Sequence, residues 1–315
     1  MVAIITLNFN QNEYTLKCIN SILKSENIDF KFLVVDNGSS SQNYKELKKE
    51  IPKDDRVILE RIHVNKGYVG GINHGLKFGE KINPAYVLIM NNDTIIEENA
   101  IFELVRTCKK FENEAIVTGK VYHYDEPTKI QDVGYIFDKK EILKFKRIGL
   151  NEIDQGQFDL VTERDMLDDV FWLFPYELYK RIGGYSNYFW FNAEQADFAL
   201  RAKKMGYKLI YTHKAKLWHK GSVSIGGRDT NPKLAYWNIQ SSLMLRYLHL
   251  NKFNFLNFFI ITTESVLRTS FKAFIFRMKG DKTLLKYAMA KRKGLYYFLK
   301  WVVIRNENKG ENPIN

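Results

Sequence analysis

Over roughly the first 120 residues, short apolar runs alternate with segments of helical spacing, and each apolar run closes on polar residues. "VAIITLNF" (2–9), "FKFLVVDN" (30–37), residues 57–64 and "AYVLIMNND" (85–93) read as strands, while "YTLKCINSILKS" (14–25) and "GGINHGLKFGEK" (70–81) read as helices. Parallel strands need a crossover between them, so this order predicts an α/β fold with a mostly parallel central sheet flanked by helices. In such sheets ligands sit beyond the carboxyl ends of the strands. Asn8, Asn10, Asp36, Asn37, Asn91, Asn92 and Asp93 collect at three of those ends. Strand-capping turns account for part of that placement. Three such ends in one sheet point to a shared site.

From 115 to 220 the pattern is mixed. "AIVTGKVYHY" and "DVFWLF" read as strands, 177–182 as a short helix closed by Gly183 and Gly184, and 192–205 as a helix closed by Gly206. "YKLIYTHKAKLWH" reads as a strand pair running into His219. Beyond Pro232 the chain reads as helix, beginning with the amphipathic "KLAYWNIQSSLMLRYLHL". The expectation is therefore an α/β domain over 1–225 and a basic, aromatic-rich helical extension over 226–315.

Charge singles out that extension. The chain's net charge is +12, and residues 251–315 hold thirteen Lys/Arg against four Asp/Glu. Cations interleaved with Phe, Leu, Trp and Tyr suit an anionic membrane surface, although a solvated helix face would show the same charge. Nucleic acid would be drawn by charge alone, and no nucleic-acid partner is expected. The most apolar run, "FNFLNFFIITT", stops at Glu264, short of the ~18 residues a membrane span needs. The start of the chain lacks the basic region of a signal peptide. Cys18 and Cys108 have neither metal-type nor disulfide-framework spacing. These features predict a cytoplasmic protein, peripheral on the inner face of the cell membrane.

Three stretches carry candidate chemistry. Asp36, at the turn in "LVVDNGSS", could accept hydrogen bonds from a nucleobase or ribose, or satisfy its own backbone. "NKGYVGGINHG" (65–75) places four glycines before a helix start, where backbone N–H groups can approach a phosphate or sugar. It is neither G-x-G-x-x-G nor a P-loop. "MNNDT" ends a strand in one carboxylate, Asp93. A hard divalent cation there would share its oxygens with a diphosphate, and His219 could supply a further ligand.

In order along the chain, "VVDNGSS", "NKGYVGGINHG", "NND", "IGGYSNYFW", "EQADFALRAKKMGY" and "WHKG" resemble the motifs of family 2 glycosyltransferases of GT-A fold, over roughly residues 2–220. Within that family the chain resembles rhamnosyltransferase-type enzymes of bacterial surface polysaccharide synthesis. The resemblance implies inverting transfer of one sugar, rhamnose among the candidates, from a dTDP- or UDP-linked donor to a glycan or lipid-linked acceptor. By matching position, Thr6, Asn8, Asn10 and Asp36 would hold the nucleotide. Asn65, Gly67, Gly71 and Asn73 would lie near the donor, with Asn91, Asn92 and Asp93. Asp93 and His219 would hold Mg2+ or Mn2+, Asn91 standing where the family carries an acid.

An inverting transfer needs one general base. The family's register reads Glu-Asp-x-Asp, and the second residue is the base. Here it reads Glu194-Gln195-Ala196-Asp197, and an amide cannot take up a proton at neutral pH. Glu194 is then the candidate base, Asp197 a less favoured one at the helix start. The remaining reading is a nucleotide-sugar-binding protein with impaired or absent transfer. Trp172 and Trp190 are candidate sugar-stacking platforms, though tryptophan is more often core, and Asp169 is a candidate for the acceptor pocket.

Overall fold

The apolar run after Met1 forms β1 (Val2–Asn8), paired in parallel with β2 (Phe30–Asn37) on one side and β4 (Tyr86–Met90) on the other. A computed structural model provides this architecture and describes residues 1–137, 145–221, 231–278 and 283–307. β3 (Val57–Ile62) adds in parallel to β2. The crossovers are α1 (Asn12–Ile22), α2 (Ser41–Glu50) and α3 (Gly67–Ile82).

Next along the chain come β5 (Thr94–Ile96), α4 (Ala100–Lys110), β6 (Ala115–His123), β7 (Ile130–Asp132), β8 (Tyr135–Phe137), β9 (Phe145–Arg147) and β10 (Val161–Glu163). They are followed by β11 (Phe171–Pro175), α5 (Tyr176–Ile182), α6 (Glu194–Lys204) and β12 (Lys208–His219). β11 enters antiparallel between β4 and β6, which gives the sheet path β10-β12-β6-β11-β4-β1-β2-β3. Past residue 230 lie α7 (Pro232–His249), α8 (Lys252–Met278) and α9 (Thr283–Ile304).

Alternation along the central strands sends successive side chains to opposite faces. Ile4 and Leu88 join the cluster under α1 and α4, whereas Ile5, Val87 and Ile89 join the cluster under α3, α5 and α6. Both faces being covered explains why these strands read as continuous apolar runs. Leu243 and Met244 of α7 and Phe298 and Trp301 of α9 belong to that second cluster. The first and last helices of the extension are therefore packed into the main core, and each fully buried side chain of this kind contributes about 1.5–3 kcal/mol. The expected boundary at 225–226 lies outside the described residues.

Two expectations are corrected. Residues 208–219 form one strand, with a register irregularity between Tyr211 and Lys216, instead of a strand pair. Between the second and third strands, where the sequence pattern places no helix, Ser40 accepts a hydrogen bond from the Asn43 backbone N–H and starts α2.

Candidate active site

A cleft of about 1270 Å³ opens over the carboxyl ends of β1 and β4. Eleven of the residues expected at a site line it: Asn37, Asn65, Gly67, Asn91, Asn92, Asp93, Asp169, Trp190, Glu194, Gln195 and His219. The other eight, Thr6, Asn8, Asn10, Asp36, Gly71, Asn73, Trp172 and Asp197, are absent from its lining.

The absences have physical reasons. Asn8 is fully buried, and its amide donates to Asp36 Oδ1 at 3.0 Å while its carbonyl accepts from the Thr15 hydroxyl at 2.9 Å. Asp36 is likewise enclosed, with Arg61 Nε 3.6 Å from Oδ2. Thr6 is buried beneath them. Asn10, in the left-handed region at φ 54, accepts from the Ser40 backbone N–H at 3.0 Å and so ties the first two strand-end loops together. Asn73 accepts from the Tyr185 N–H at 2.9 Å and donates back to its carbonyl at 2.8 Å, and Gly71 lets α3 lie against Leu7. These residues shape the wall of the cleft.

On the wall itself, Asn65 Oδ1 accepts the Gly67 N–H at 2.8 Å, and Asn37 donates to the Gly67 carbonyl at 2.9 Å. Gly67 has φ +71, and a Cβ there would stand 2.6 Å from the Trp190 indole. Glycine is thus required both by conformation and by the close approach of Trp190.

The ends of β4 and β12 bring Asp93 and His219 together, with His219 Nε2 3.2 Å from Asp93 Oδ1. Gln131, on β7, places Oε1 2.6 Å from His219 Nδ1. A carbonyl oxygen can only accept, so Nδ1 carries the proton, and in the neutral ring Nε2 keeps a lone pair beside Asp93 and the Asn91 amide, 3.3 Å away. Burial works against the charge on Asp93, but when the ring is protonated the His219 Nε2–H and its charge, together with the Gly221 N–H, outweigh it, so its carboxyl sits below the ordinary range; when the ring is neutral, Nε2 presents its lone pair instead. An anionic oxygen and an imidazole lone pair side by side, with the ring oriented from behind, fit a divalent cation. They supply two ligands; among the described residues no group of three His, Cys, Asp or Glu could hold a metal alone.

Facing the cleft from α6 are Glu194 and Gln195. Asn192 and Ala193 precede them in the left-handed region, at φ 71 and 72, where a non-glycine residue is strained. That double turn aims the start of α6 into the cleft. Glu194 is 3% exposed, and its Oε2 has no hydrogen-bond partner among the described residues. Burial first, and then the charges of Asp169 and Asp168, push its carboxyl well above the ordinary range. The Gln195 carbonyl oxygen is also buried without a partner.

Asp197 is placed otherwise. His249 Nε2 lies 2.8 Å from one of its oxygens and Arg201 Nε 2.9 Å from the other. Both acceptor sites are taken and it stands off the cleft, so Asp197 is corrected from candidate base to an anchor of α6. Trp172 is corrected too. It is fully buried against Tyr185 and Phe198 and offers no sugar platform.

Asp169 does line the cleft, accepting from the hydroxyls of Tyr185 at 2.7 Å and Tyr68 at 2.9 Å. Burial and the neighbouring Asp168 push it up to about 7. Sequence reasoning missed Gln131, Asp132, Tyr135 and Arg147, which reach the cleft from three-residue strands too short to carry a periodic signal. It also missed Lys233, Trp237 and Asn238 of α7, of which only Lys233 and Trp237, at i and i+4, share a helix face.

Residues 3–171 match the model of the family described as "Glycosyl transferase family 2". Poly-beta-1,6-N-acetyl-D-glucosamine synthase of Staphylococcus epidermidis is 24% identical over 222 residues, 70% of this chain and 50% of that protein. Glycosyltransferase GlyG of Streptococcus pneumoniae is 23% identical over 126 residues, 40% of each chain. The chain spans about half the length, or less, of these curated relatives. The crystal structure of GalNAc-T7 with UDP, GalNAc and Mn2+ superposes with a TM-score of 0.54 at 13% identity, covering 70% of this chain and 43% of that one, a likeness of fold.

Proposed function

This chain belongs to glycosyl transferase family 2, and on that premise we propose that it is an inverting, cation-dependent transferase of bacterial surface polysaccharide synthesis. It moves one sugar from a nucleotide-diphospho-sugar to a glycan or lipid-linked acceptor at the cytoplasmic face of the membrane. The supporting observation is the cleft, which gathers the Asp93–His219 pair and Glu194, whose Oε2 has no hydrogen-bond partner among the described residues, on its lining. UDP and Mn2+ in the GalNAc-T7 structure support a nucleotide-linked donor and a divalent cation; dTDP-rhamnose is a candidate from the sequence motifs.

Asp93 and His219 would hold Mg2+ or Mn2+ together with the donor diphosphate. The bound cation supplies charge neutralisation for the departing nucleoside diphosphate. The chain's own residues do the rest. The acceptor hydroxyl oxygen forms the new bond to the anomeric carbon, the bond from that carbon to the phosphate oxygen breaks, and its electron pair leaves with the nucleoside diphosphate. The hydroxyl proton passes to Glu194 Oε2. A carboxyl raised by burial is a stronger base than an exposed one, which suits it to that task. Asp169, held by two phenols, and Trp190 flank the acceptor side.

Gln195 at the family's usual base position favours a second reading, a donor-binding protein without transfer. Thermal shifts with UDP, dTDP and GDP in Mn2+ identify the nucleotide in either case. Turnover of the matching sugar donor then separates the two readings. Loss of turnover in Glu194→Ala with nucleotide binding kept supports transfer through Glu194. Full turnover in Glu194→Ala removes Glu194 as the base, and turnover found only in Gln195→Asp establishes the second reading.

A further inference from the structure

We propose that α8 is a membrane-docking helix that lies flat on anionic lipid through an outward apolar stripe. The proposal deepens the reading of a peripheral enzyme, and rests on it, by naming the surface and its partner. A helix on a soluble protein normally turns its apolar stripe inward; α8 packs Phe255, Phe258 and Phe259 inward and carries a second apolar stripe outward. Phe253, Ile260, Leu267 and Phe274 recur every seven residues, with Phe271 and Met278 on the same face. All six are exposed, Phe253 at 80% and Met278 at 75%. The opposite face carries the buried Thr262, Val266 and Ala273, with Phe255, Phe258 and Phe259 partly buried against the core. Of the twenty-three exposed large apolar side chains among the described residues, fifteen lie on α8 and α9. They form a concentrated patch of the kind that marks an interaction surface.

Charge selects the partner. At 3.6 residues per turn, exposed Arg268 and Lys272 border the stripe on one side and Lys252 and Arg277 on the other. The stripe's one acid, Glu264, is paired with Arg268 at 2.6 Å. The exposed side of α9 repeats the mixture, with Lys286, Arg292, Lys293 and Lys300 between Met289, Tyr296 and Val303, and α9 contains no acidic residue. A second copy meeting this face would set cations against cations. Anionic headgroups take the cations while acyl chains take the phenylalanines, the long Lys and Arg stems reaching between. No helix among the described residues is long and apolar enough to cross a membrane, so α8 would lie on the bilayer.

The test is co-sedimentation of the full chain with vesicles of phosphatidylcholine alone or mixed with phosphatidylglycerol. Wild type is expected to sediment with the mixed vesicles and to be released by salt. The exposed triple variant Phe253→Ser/Leu267→Ser/Phe271→Ser is expected to bind at least about tenfold more weakly. Arg268→Glu/Lys272→Glu is expected to lose the preference for phosphatidylglycerol. Thermal shift with UDP or dTDP and Mn2+, run on every variant, reports folding and donor binding separately, so failed docking is distinguishable from a failed transferase reading. Wild type that stays in the supernatant overturns the proposal, as does a triple variant that sediments like wild type. A wild-type dimer in ultracentrifugation that the triple variant converts to monomer, without vesicle binding, assigns the stripe to a second copy and also overturns it.

Discussion

His219 Nε2 stands 3.2 Å from Asp93 Oδ1, while its other ring nitrogen is held 2.6 Å from Gln131 Oε1. Gln131 thereby selects the tautomer that leaves a lone pair beside Asp93. Gln131→Leu is expected to weaken Mn2+ binding about 10–100-fold, the usual cost of losing the partner that orients a ligating histidine. Asp93→Asn, which removes the anionic oxygen, is expected to abolish the Mn2+-dependent part of the nucleotide thermal shift. Titrating Mn2+ at fixed nucleotide measures both. Wild-type Mn2+ affinity in Gln131→Leu would show that the ring needs no orientation from behind.

Glu194 gives a prediction in rate and in pH. As general base, its loss in Glu194→Gln is expected to lower kcat about 10²–10⁴-fold while leaving nucleotide binding close to wild type. The base must be ionised to accept a proton. Burial and the charges of Asp169 and Asp168 hold its carboxyl well above the ordinary range, so kcat/KM is expected to rise with pH through that raised value and then level off. An Asp169→Asn background removes one of those charges and should move the rising limb to lower pH. A profile whose limb stays in the ordinary carboxylate range would remove Glu194 from the role.

Stability follows Asp169 in the opposite direction. Its folded-state carboxyl is raised to about 7, burial contributing most and Asp168 next. A raised value means that the folded state holds the proton more tightly than the unfolded chain. The associated stability is present below the ordinary carboxylate range and is lost as pH rises through about 7. Asp169→Asn keeps an oxygen to accept from Tyr68 and Tyr185 but cannot ionise. The Tm of the variant relative to wild type is therefore expected to grow more positive between about pH 5 and about pH 8. A difference that does not change with pH would place the cost of burial elsewhere in the cluster.

One part of the cleft that sequence made legible lies at the ends of strands buried on both faces. β1, β2 and β4 announce themselves as unbroken apolar runs, and the polar residues closing them stand where parallel sheets put ligands. What stayed hidden depends on pairings remote in sequence. Asn8 looks like a free amide until Asp36 and Thr15 are seen to consume it. Asp197 looks like a candidate base until His249, 52 residues on, is seen against it. Arg147 and Gln131 arrive from three-residue strands, and Ala193 carries a left-handed φ that no alanine advertises.

The Asp197–His249 pair joins α6, which carries Glu194, to α7, the first helix of the extension. Burial opposes the charge on Asp197, but the hydrogen bond from His249 and the Arg201 charge prevail, so its carboxyl is held below the ordinary range. For a lowered carboxyl, the stability is present above the unfolded value and is lost as pH falls through the folded one. His249→Ala leaves one Asp197 oxygen buried without its donor and is expected to cost about 1–3 kcal/mol at neutral pH. His249→Gln, which can still donate, should recover most of it, and the gap between His249→Ala and wild type should narrow in acid as Asp197 is protonated. Urea unfolding across pH measures these differences. Because α6 aims Glu194, His249→Ala is also expected to lower kcat more than it weakens nucleotide binding, with His249→Gln restoring both. If His249→Ala unfolds more easily but turns over donor like wild type, the pair is a structural tie alone and α7 does not position the base.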